Sequence, residues 1–322
     1  MSKGYSDTND MHIIECAQDC AKKFQTVFVT DDIAAKNIAR KVFDLAVESV
    51  GDQTNEIYKG YRSISGNTSE INEYMNSIDY SQWHTNEYLI IKNTEDGSTG
   101  EMRFDGRQFV ALKLPPSRHA KGKNSLQRCA LDAMLNPTIT AVALLGGYGS
   151  GKTYLSMRMA LHHIEAGTHG KILGVREPRG EGADIGYLPG SMDDKTENFF
   201  LPLVQQLDGG EIQLERLKAE GAIESIVPYY LKGTTYNDTI IVVDEAEDLT
   251  RRQIKLIGTR VGKNSKIFLS GDYKQSIVNS SECNALVKMC DDLKGDPKFA
   301  CVYLGEDVRS ETSKMFSTLF CE

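Results

Sequence analysis

Two rhythms of apolar residues alternate through the last two thirds of the chain. Five short runs, Thr138 to Leu145, Lys171 to Val175, Thr239 to Val243, Lys266 to Ser270 and Ala300 to Gly305, place mostly aliphatic and β-branched side chains at consecutive positions. Such runs fit strands buried on both faces. Between them the apolar spacing widens to three and four residues. Leu155, Met159, Leu161 and Ile164 follow it within Tyr154 to Glu165, and Ile254, Ile257 and Val261 within Thr250 to Val261. A charged helix is predicted over Glu211 to Gly221. Leu126, Ala130, Ala133 and Met134 mark another helix ahead of the first run. Buried strands alternating with amphipathic helices predict an α/β domain, a parallel sheet flanked by helices, over residues 124–322. Within it Gly180 to Gly190 reads as a Gly-rich loop following a strand, where parallel sheets bind ligands. Asn198 to Leu207 is amphipathic, and Ile223 to Leu231 is apolar with aromatic residues.

Residues 1–123 have a different texture. Met11 to Lys23 has helical spacing through Ile14, Ala17 and Ala21, and Thr26 to Thr30 reads as a short strand. Asp32 to Val50 reads as a second helix carrying Ile33, Ile38, Val42, Phe43 and Ala46. Asp10 and Asp32 stand where an acid serves either as a helix N-cap or in metal chemistry. Gly51 to Gln82 is polar with scattered tyrosines and is expected to be a connector with short ordered pieces. Tyr88 to Lys92, Glu101 to Phe104 and Gln108 to Leu114, separated by Asp96-Gly97 and Asp105-Gly106, predict a small β-meander. Pro115-Pro116 ends it. Arg118, Lys121 and Lys123 then form a basic linker suited to a solvated hinge or to a nucleic-acid contact. The expected divisions are thus 1–82, 83–123 and 124–322.

Composition removes several classes of function. The 322 residues are 40% hydrophobic and 25% charged, enough for one large domain and a smaller one. A net charge of −8 argues against a surface coated in positive charge, so any nucleic-acid site must be a local groove. The seven cysteines are scattered, without a Cys-x-x-Cys, and suggest neither a zinc site nor a disulfide framework. Cys16 and Cys20 share a helix face and are expected to be buried. His162 and His163 are expected on a surface or partly buried helix face. No signal peptide is read at the start, and no apolar run reaches the roughly 20 residues of a membrane helix. A cytoplasmic protein without membrane contact is expected.

The strongest chemical signal follows the first buried strand. Gly146-Gly147-Tyr148-Gly149-Ser150-Gly151-Lys152-Thr153 matches Gly-x-x-x-x-Gly-Lys-Thr between a strand and a helix, the pattern of a phosphate-binding loop. The glycines let backbone N–H groups curl around an anion, and the next helix presents its positive end to the same charge. Lys152 would reach the β- and γ-phosphates of ATP, and the Thr153 hydroxyl would ligate Mg²⁺. A second signal is Asp244-Glu245 at the carboxyl end of Thr239 to Val243, where Asp244 suits the metal and Glu245 suits a general base for water. Gln275, after Gly271-Asp272, can bond both γ-phosphate and water. Arg309 is a cation placed to offset transition-state charge. Gln127, near the start of the domain, carries an amide that can read the adenine edge. Arg251, Arg252 and Lys255 fit an ordinary solvated helix face.

The succession Asn-x-x-Gln, Gly-x-x-x-x-Gly-Lys-Thr, Leu-Pro-Gly, Val-Asp-Glu-Ala-Glu, Gly-Asp-x-x-Gln and Asp-Val-Arg-Ser resembles the PhoH-like P-loop ATPases, relatives of the superfamily 1 helicase core, from Asn124 onward. The β-meander is similar to the segment preceding the ATPase in members fused to PIN domains. Thr8-Asn9-Asp10-x-x-Ile13-Ile14 with Val27-Phe-Val-Thr30-Asp31-Asp32-Ile33 resembles the second half of a PIN nuclease domain, in which Asp10 and Asp32 match metal-binding acids. With only half of such a set, Asp10 and Asp32 read as relics or as half of a site completed by another chain, and nuclease activity is not expected of this polypeptide alone. The PhoH resemblance implies RNA-linked ATPase or helicase activity and ring-shaped oligomers, often hexamers. It implies Gln127 as adenine reader, Gly146 to Thr153 as phosphate loop and Asp244 and Glu245 as metal and water-activating acids. It further implies Gln275 as γ-phosphate sensor and Arg260 and Arg309 as candidate arginine fingers. Lys232-Gly233-Thr234 replaces an Arg-Gly-Arg found in many relatives.

These readings converge on ATP hydrolysis with Mg²⁺, coupled to single-stranded RNA or DNA. One P-loop core leaves a second clamp on the strand to a neighbouring subunit, so a homo-oligomer is expected. A small-molecule kinase, or an ATP-dependent switch that does not hydrolyse, are the alternatives.

Overall fold

The protein's computed structural model describes residues 9–24, 26–30, 33–48, 57–117, 120–177, 209–272, 284–306 and 308. The expected features at Asp32, 180–190, 198–207, Arg118, Gln275 and Arg309 lie outside these residues. The chain forms two units, Met1–Ile57 and Tyr58–Glu322. No helix among the described residues is long and apolar enough to cross a membrane.

The first unit contains α1 (Asn9–Ala21), β1 (Val27–Val29), α2 (Ile33–Lys41) and β2 (Ala46–Glu48), with β1 and β2 paired in parallel. The long second helix expected over 32–50 is therefore split. It stops at Lys41, Asp44 takes a left-handed conformation at φ 52°, and Ala46 to Glu48 turn into a strand. Phe43 and Val47 carry the aromatic and β-branched character that suits this change. Ile14, Ala39, Leu45 and Val47 form the core. Cys16 and Cys20 are exposed, contrary to expectation, because they sit on the far side of α1 from the buried Ile14. Asp10 lies in the first turn of α1.

The second unit opens on a small sheet in the order β3-β4-β5-β6, made of β3 (Tyr61–Gly66), β4 (Tyr88–Asn93), β5 (Thr99–Phe104) and β6 (Phe109–Ala111). The meander is as expected: β4, β5 and β6 are antiparallel neighbours, and Gly97 and Gly106 turn at φ 71° and 99°. The segment expected to be a connector supplies β3, parallel to β4, and α3 (Thr68–Ser77), whose N-cap Asn67 forms a reciprocal capping box with Glu70. Polar residues alternate through Tyr61–Gly66 because the strand is only partly covered, which hides it from a reading by apolar run.

The large sheet is wholly parallel, in the order β12-β7-β11-β10-β8-β9. Its strands are β7 (Ala141–Leu145), β8 (Lys171–Val175), β9 (Ile223–Ile226), β10 (Thr239–Val243), β11 (Lys266–Gly271) and β12 (Phe299–Tyr303), with α4 (Ser125–Leu135) ahead of them and α5 (Lys152–Glu165), α6 (Gly210–Ala219), α7 (Arg251–Gly258) and α8 (Ala285–Leu293) between them. Val142, Leu144, Ile240, Val242 and Phe268 face a core shared with α4 and α5, and the alternate residues Ala143, Leu145, Ile241, Val243 and Leu269 are buried as well. Burial on both faces is what selected unbroken aliphatic runs. Each such side chain contributes about 1.5–3 kcal/mol. The apolar stretch Ile223 to Leu231 resolves into β9 and a 3₁₀ turn at Pro228–Leu231.

Two buried polar systems anchor α4. From the small sheet, Arg103 Nε and Tyr88 Oη each donate to Asp132 Oδ2 at 2.9 Å, and the Lys113 N–H donates to Asp132 Oδ1 at 2.7 Å. At the carboxyl end of α4, the buried Lys266 Nζ donates to the carbonyls of Met134, Asn136 and Ile139, and burial lowers its pKa to about 8. His163, also buried rather than partly exposed, meets the Met134 carbonyl through Nε2 at 3.1 Å.

Asp132→Ala leaves the largely covered Arg103 cation without its carboxylate, with Asn86 Oδ1 as its remaining acceptor, and should cost about 3 kcal/mol in urea unfolding. The same substitution in an Arg103→Ala background should cost far less; additive losses would show that the pair does not hold the small sheet to α4. Burial lowers the His163 pKa from 6.5 to about 4. The unfolded chain therefore takes up a proton that the native chain refuses, and stability falls by roughly 1.5 kcal/mol between pH 6.5 and 5. His163→Gln should flatten that part of the stability profile, measured by thermal unfolding against pH.

Candidate functional site

The carboxyl end of β7 runs into the Gly-rich loop, and α5 starts at Lys152. Gly146 (φ 144°) lies so close to β12 that an added Cβ would come within 2.2 Å of the Leu304 carbonyl oxygen. Gly151 (φ 89°) is the left-handed N-cap of α5, and a Cβ there would meet Gln127 Nε2 at 2.9 Å. Side chains are excluded at both points by backbone conformation and by space. The loop is held by its own polar groups. Ser150 Oγ donates to the Gly147 carbonyl at 2.9 Å, and Lys152 Nζ donates to the carbonyls of Gly146 and Gly147 at 2.6 and 2.8 Å. These leave the first-turn N–H groups of α5, with their positive dipole end, directed toward an anion held by the loop. Tyr148 is 65% exposed on the loop.

The acids arrive from β10. Asp244 follows the strand, its N–H still bonded to the Val175 carbonyl of β8 at 3.1 Å, and Thr153 Oγ1 donates to Asp244 Oδ1 at 2.8 Å. A hydroxyl and a carboxylate side by side, at the loop's end of the sheet, are hard oxygen donors of the kind that would suit Mg²⁺. Glu245 adopts the left-handed conformation, φ 51°, ψ 42°, at a cost of about 1–2 kcal/mol for a residue with a Cβ. Arg176, at the end of β8, grips its carboxylate with both Nε, at 2.9 Å, and Nη2. Both side chains are nearly half exposed, so the pair contributes only about 0–1 kcal/mol and is easily exchanged. Two further acids stand nearby. Glu247 is buried against Gly271, and burial raises its pKa. Asp272 is buried at the end of β11, with Oδ2 at 3.9 Å from where a Gly147 Cβ would lie.

Gln127 is buried under the loop. Its Nε2 donates to the Ser150 carbonyl and its Oε1 accepts from the Lys123 N–H, both at 2.9 Å, while Asn124 caps its N–H. One N–H and one oxygen lone pair of the amide remain for a ligand. On the other side of β7, the Val308 N–H donates to the Gly149 carbonyl at 3.1 Å, so the chain just ahead of Arg309 runs beside the loop.

The structure therefore gathers Gln127, the loop from Gly146 to Gly151, Lys152, Thr153, Asp244 and Glu245 at one end of the parallel sheet. Arg260 is not among them. Its carbonyl accepts from the Tyr236 N–H, ahead of β10, at the opposite end of a strand of roughly 17 Å from Asp244. Arg176, Glu247 and Asp272 lie beside these residues as well. Glu247 and Asp272 fall within Val-Asp-Glu-Ala-Glu and Gly-Asp-x-x-Gln but are given no role by those motifs, and Arg176 is legible as the first polar residue after a buried strand run.

A family model described as PhoH-like protein matches residues 119–320. The chain is 27% identical to Protein PhoH2 of Bacillus subtilis over 97% of its own length and 78% of that protein's. It is 35% identical to a PhoH-like protein of the same organism, over 41% of this chain and 42% of the relative. Among solved structures, a Sulfolobus solfataricus SWI2/SNF2 ATPase core in complex with dsDNA aligns with a TM-score of 0.31 at 18% identity, over 54% of this chain and 36% of that one. That likeness is too slight to inform function. The matched segment carries the loop, the acidic strand and the sheet between them, and on that ground the chain belongs to the PhoH-like protein family.

Proposed function

We propose that this chain is a Mg²⁺-dependent ATPase of the PhoH-like type whose hydrolysis is coupled to single-stranded RNA or DNA. The observation that carries the reading is the 2.8 Å hydrogen bond between Thr153 and Asp244, which joins the end of the phosphate loop to the acidic strand end. In this reading the loop N–H groups and the α5 terminus hold the phosphates, and Lys152 exchanges its two loop carbonyls for the β- and γ-phosphate oxygens. Thr153 and Asp244 would hold Mg²⁺, which would offset charge on the phosphates. Glu245, once released by Arg176, takes a proton from the attacking water as its oxygen bonds to the γ-phosphorus and the bond to ADP breaks.

The remaining roles belong to the same proposal. Gln127 offers its spare N–H and lone pair to adenine, Gln275 senses the γ-phosphate, and Arg309 offsets transition-state charge. Arg260, at the far end of the sheet, acts on a neighbouring subunit within a ring-shaped homo-oligomer in the cytoplasm. The grip of Arg176 on Glu245 favours one second reading, a nucleotide switch that stays inactive until that pair opens.

Phosphate release measured with and without oligoribonucleotide separates these readings. Lys152→Ala should abolish turnover, and Glu245→Gln should lower it by about 100-fold or more while nucleotide is still bound. Mass measurement with ATP present should find an oligomer. Glu245→Gln turning over at the wild-type rate would remove Glu245 as the base, and a monomer under all conditions would contradict the ring.

A further inference from the structure

A second concavity adjoins the nucleotide site. It is a cavity of about 420 Å³ between the 3₁₀ turn at Pro228–Leu231, α7 and Glu177. Tyr229 and Tyr230 stand side by side on its wall, 69% and 55% exposed. Their rings are nearly perpendicular, with centroids 5.3 Å apart. Lys232 Nζ sits 4.7 Å from the centre of the Tyr229 ring. Across the cavity, α7 contributes Arg252 and carries no acid in its sequence Arg-Arg-Gln-Ile-Lys-Leu-Ile-Gly. The acid of the cavity, Glu177, is engaged by Gln253 Nε2 at 2.8 Å. Among the described residues, neither Lys232 nor Arg252 has an ion-pair partner.

A single exposed tyrosine needs no explanation. Two adjacent rings, a cation on one of them and a second cation facing them combine the elements that hold an unpaired strand: π-faces for bases and positive charge for phosphates. Local positive charge in a chain of net −8 supplies the complementarity for a polyanion. We propose that this cavity binds an unpaired polynucleotide, its bases stacked on Tyr229 and Tyr230 and its phosphates on Lys232 and Arg252. The inference rests on the nucleic-acid-coupled reading of the ATP site. It also gives that reading a route: Glu177, which faces the cavity, is the neighbour of Arg176, which holds Glu245. A strand that draws on Gln253 or Glu177 shifts Arg176 and frees the base.

The test is fluorescence anisotropy of labelled uridine and thymidine oligomers with the full chain, with and without ATP, at several salt concentrations. Wild type should bind. Tyr229→Ala should weaken binding about tenfold or more, while Tyr229→Phe, which keeps the ring, should retain it. Lys232→Gln and Arg252→Gln should each lower the slope of log affinity against log salt by about one. Binding of either oligomer that these variants weaken supports the site. Circular dichroism checks folding, and the solvent-exposed Lys232→Gln keeps the test open if a tyrosine variant misfolds. If wild type binds and these variants bind equally well, the cavity is not the site, although the coupled reading survives. If wild type binds neither oligomer under any condition, the coupled reading fails and the inference with it. Displacement of the strand by polyglutamate as readily as by unlabelled oligomer would assign the cavity to acidic protein segments and overturn the proposal.

Discussion

The hydrogen bond between Thr153 and Asp244 joins two elements whose strands are not neighbours in the sheet. β11 lies between β7 and β10, so the two side chains meet only because all three strands run the same way and end at the same level. A loop from one strand must reach across the end of the next. The glycines make that reach possible: Gly146 lies against the backbone of β12 and Gly151 starts the helix in a conformation that a side chain would oppose. Everything else described at the site is placed relative to this crossing.

The support for the crossing extends well beyond the loop. Gln127 holds the Ser150 carbonyl from α4, and α4 is itself fixed at Asp132 by the small sheet and at its carboxyl end by Lys266. The small sheet thus has a mechanical part in the nucleotide site without touching it. The Arg176–Glu245 pair is nearly half exposed, and an ion pair so open to water costs little to separate.

Much of this was legible from residues alone, for physical reasons. β7, β8, β10, β11 and β12 are buried on both faces, so their composition is forced to be aliphatic and stands out. The loop is legible because few residues tolerate its backbone. What escaped was structure whose stability comes from elsewhere in the chain. Tyr61–Gly66 becomes a strand because β4 offers it an edge, and its partly solvated face leaves no apolar run. Ala46–Glu48 continues the helical spacing before it, because three residues are too short to show a period of two. The burial of Lys266 and His163 and the grip of Arg176 on Glu245 depend on partners far along the chain, which no local spacing can reveal.

The measurement that bears most directly on the crossing is calorimetric titration of ATP with and without Mg²⁺, on the wild type and on Thr153→Val, which keeps the shape and removes the hydroxyl. The account predicts that Mg²⁺ tightens ATP binding about tenfold or more in the wild type, about 1.4 kcal/mol, and that Thr153→Val loses most of this gain. Equal affinity with and without Mg²⁺, or an undiminished gain in Thr153→Val, would contradict it.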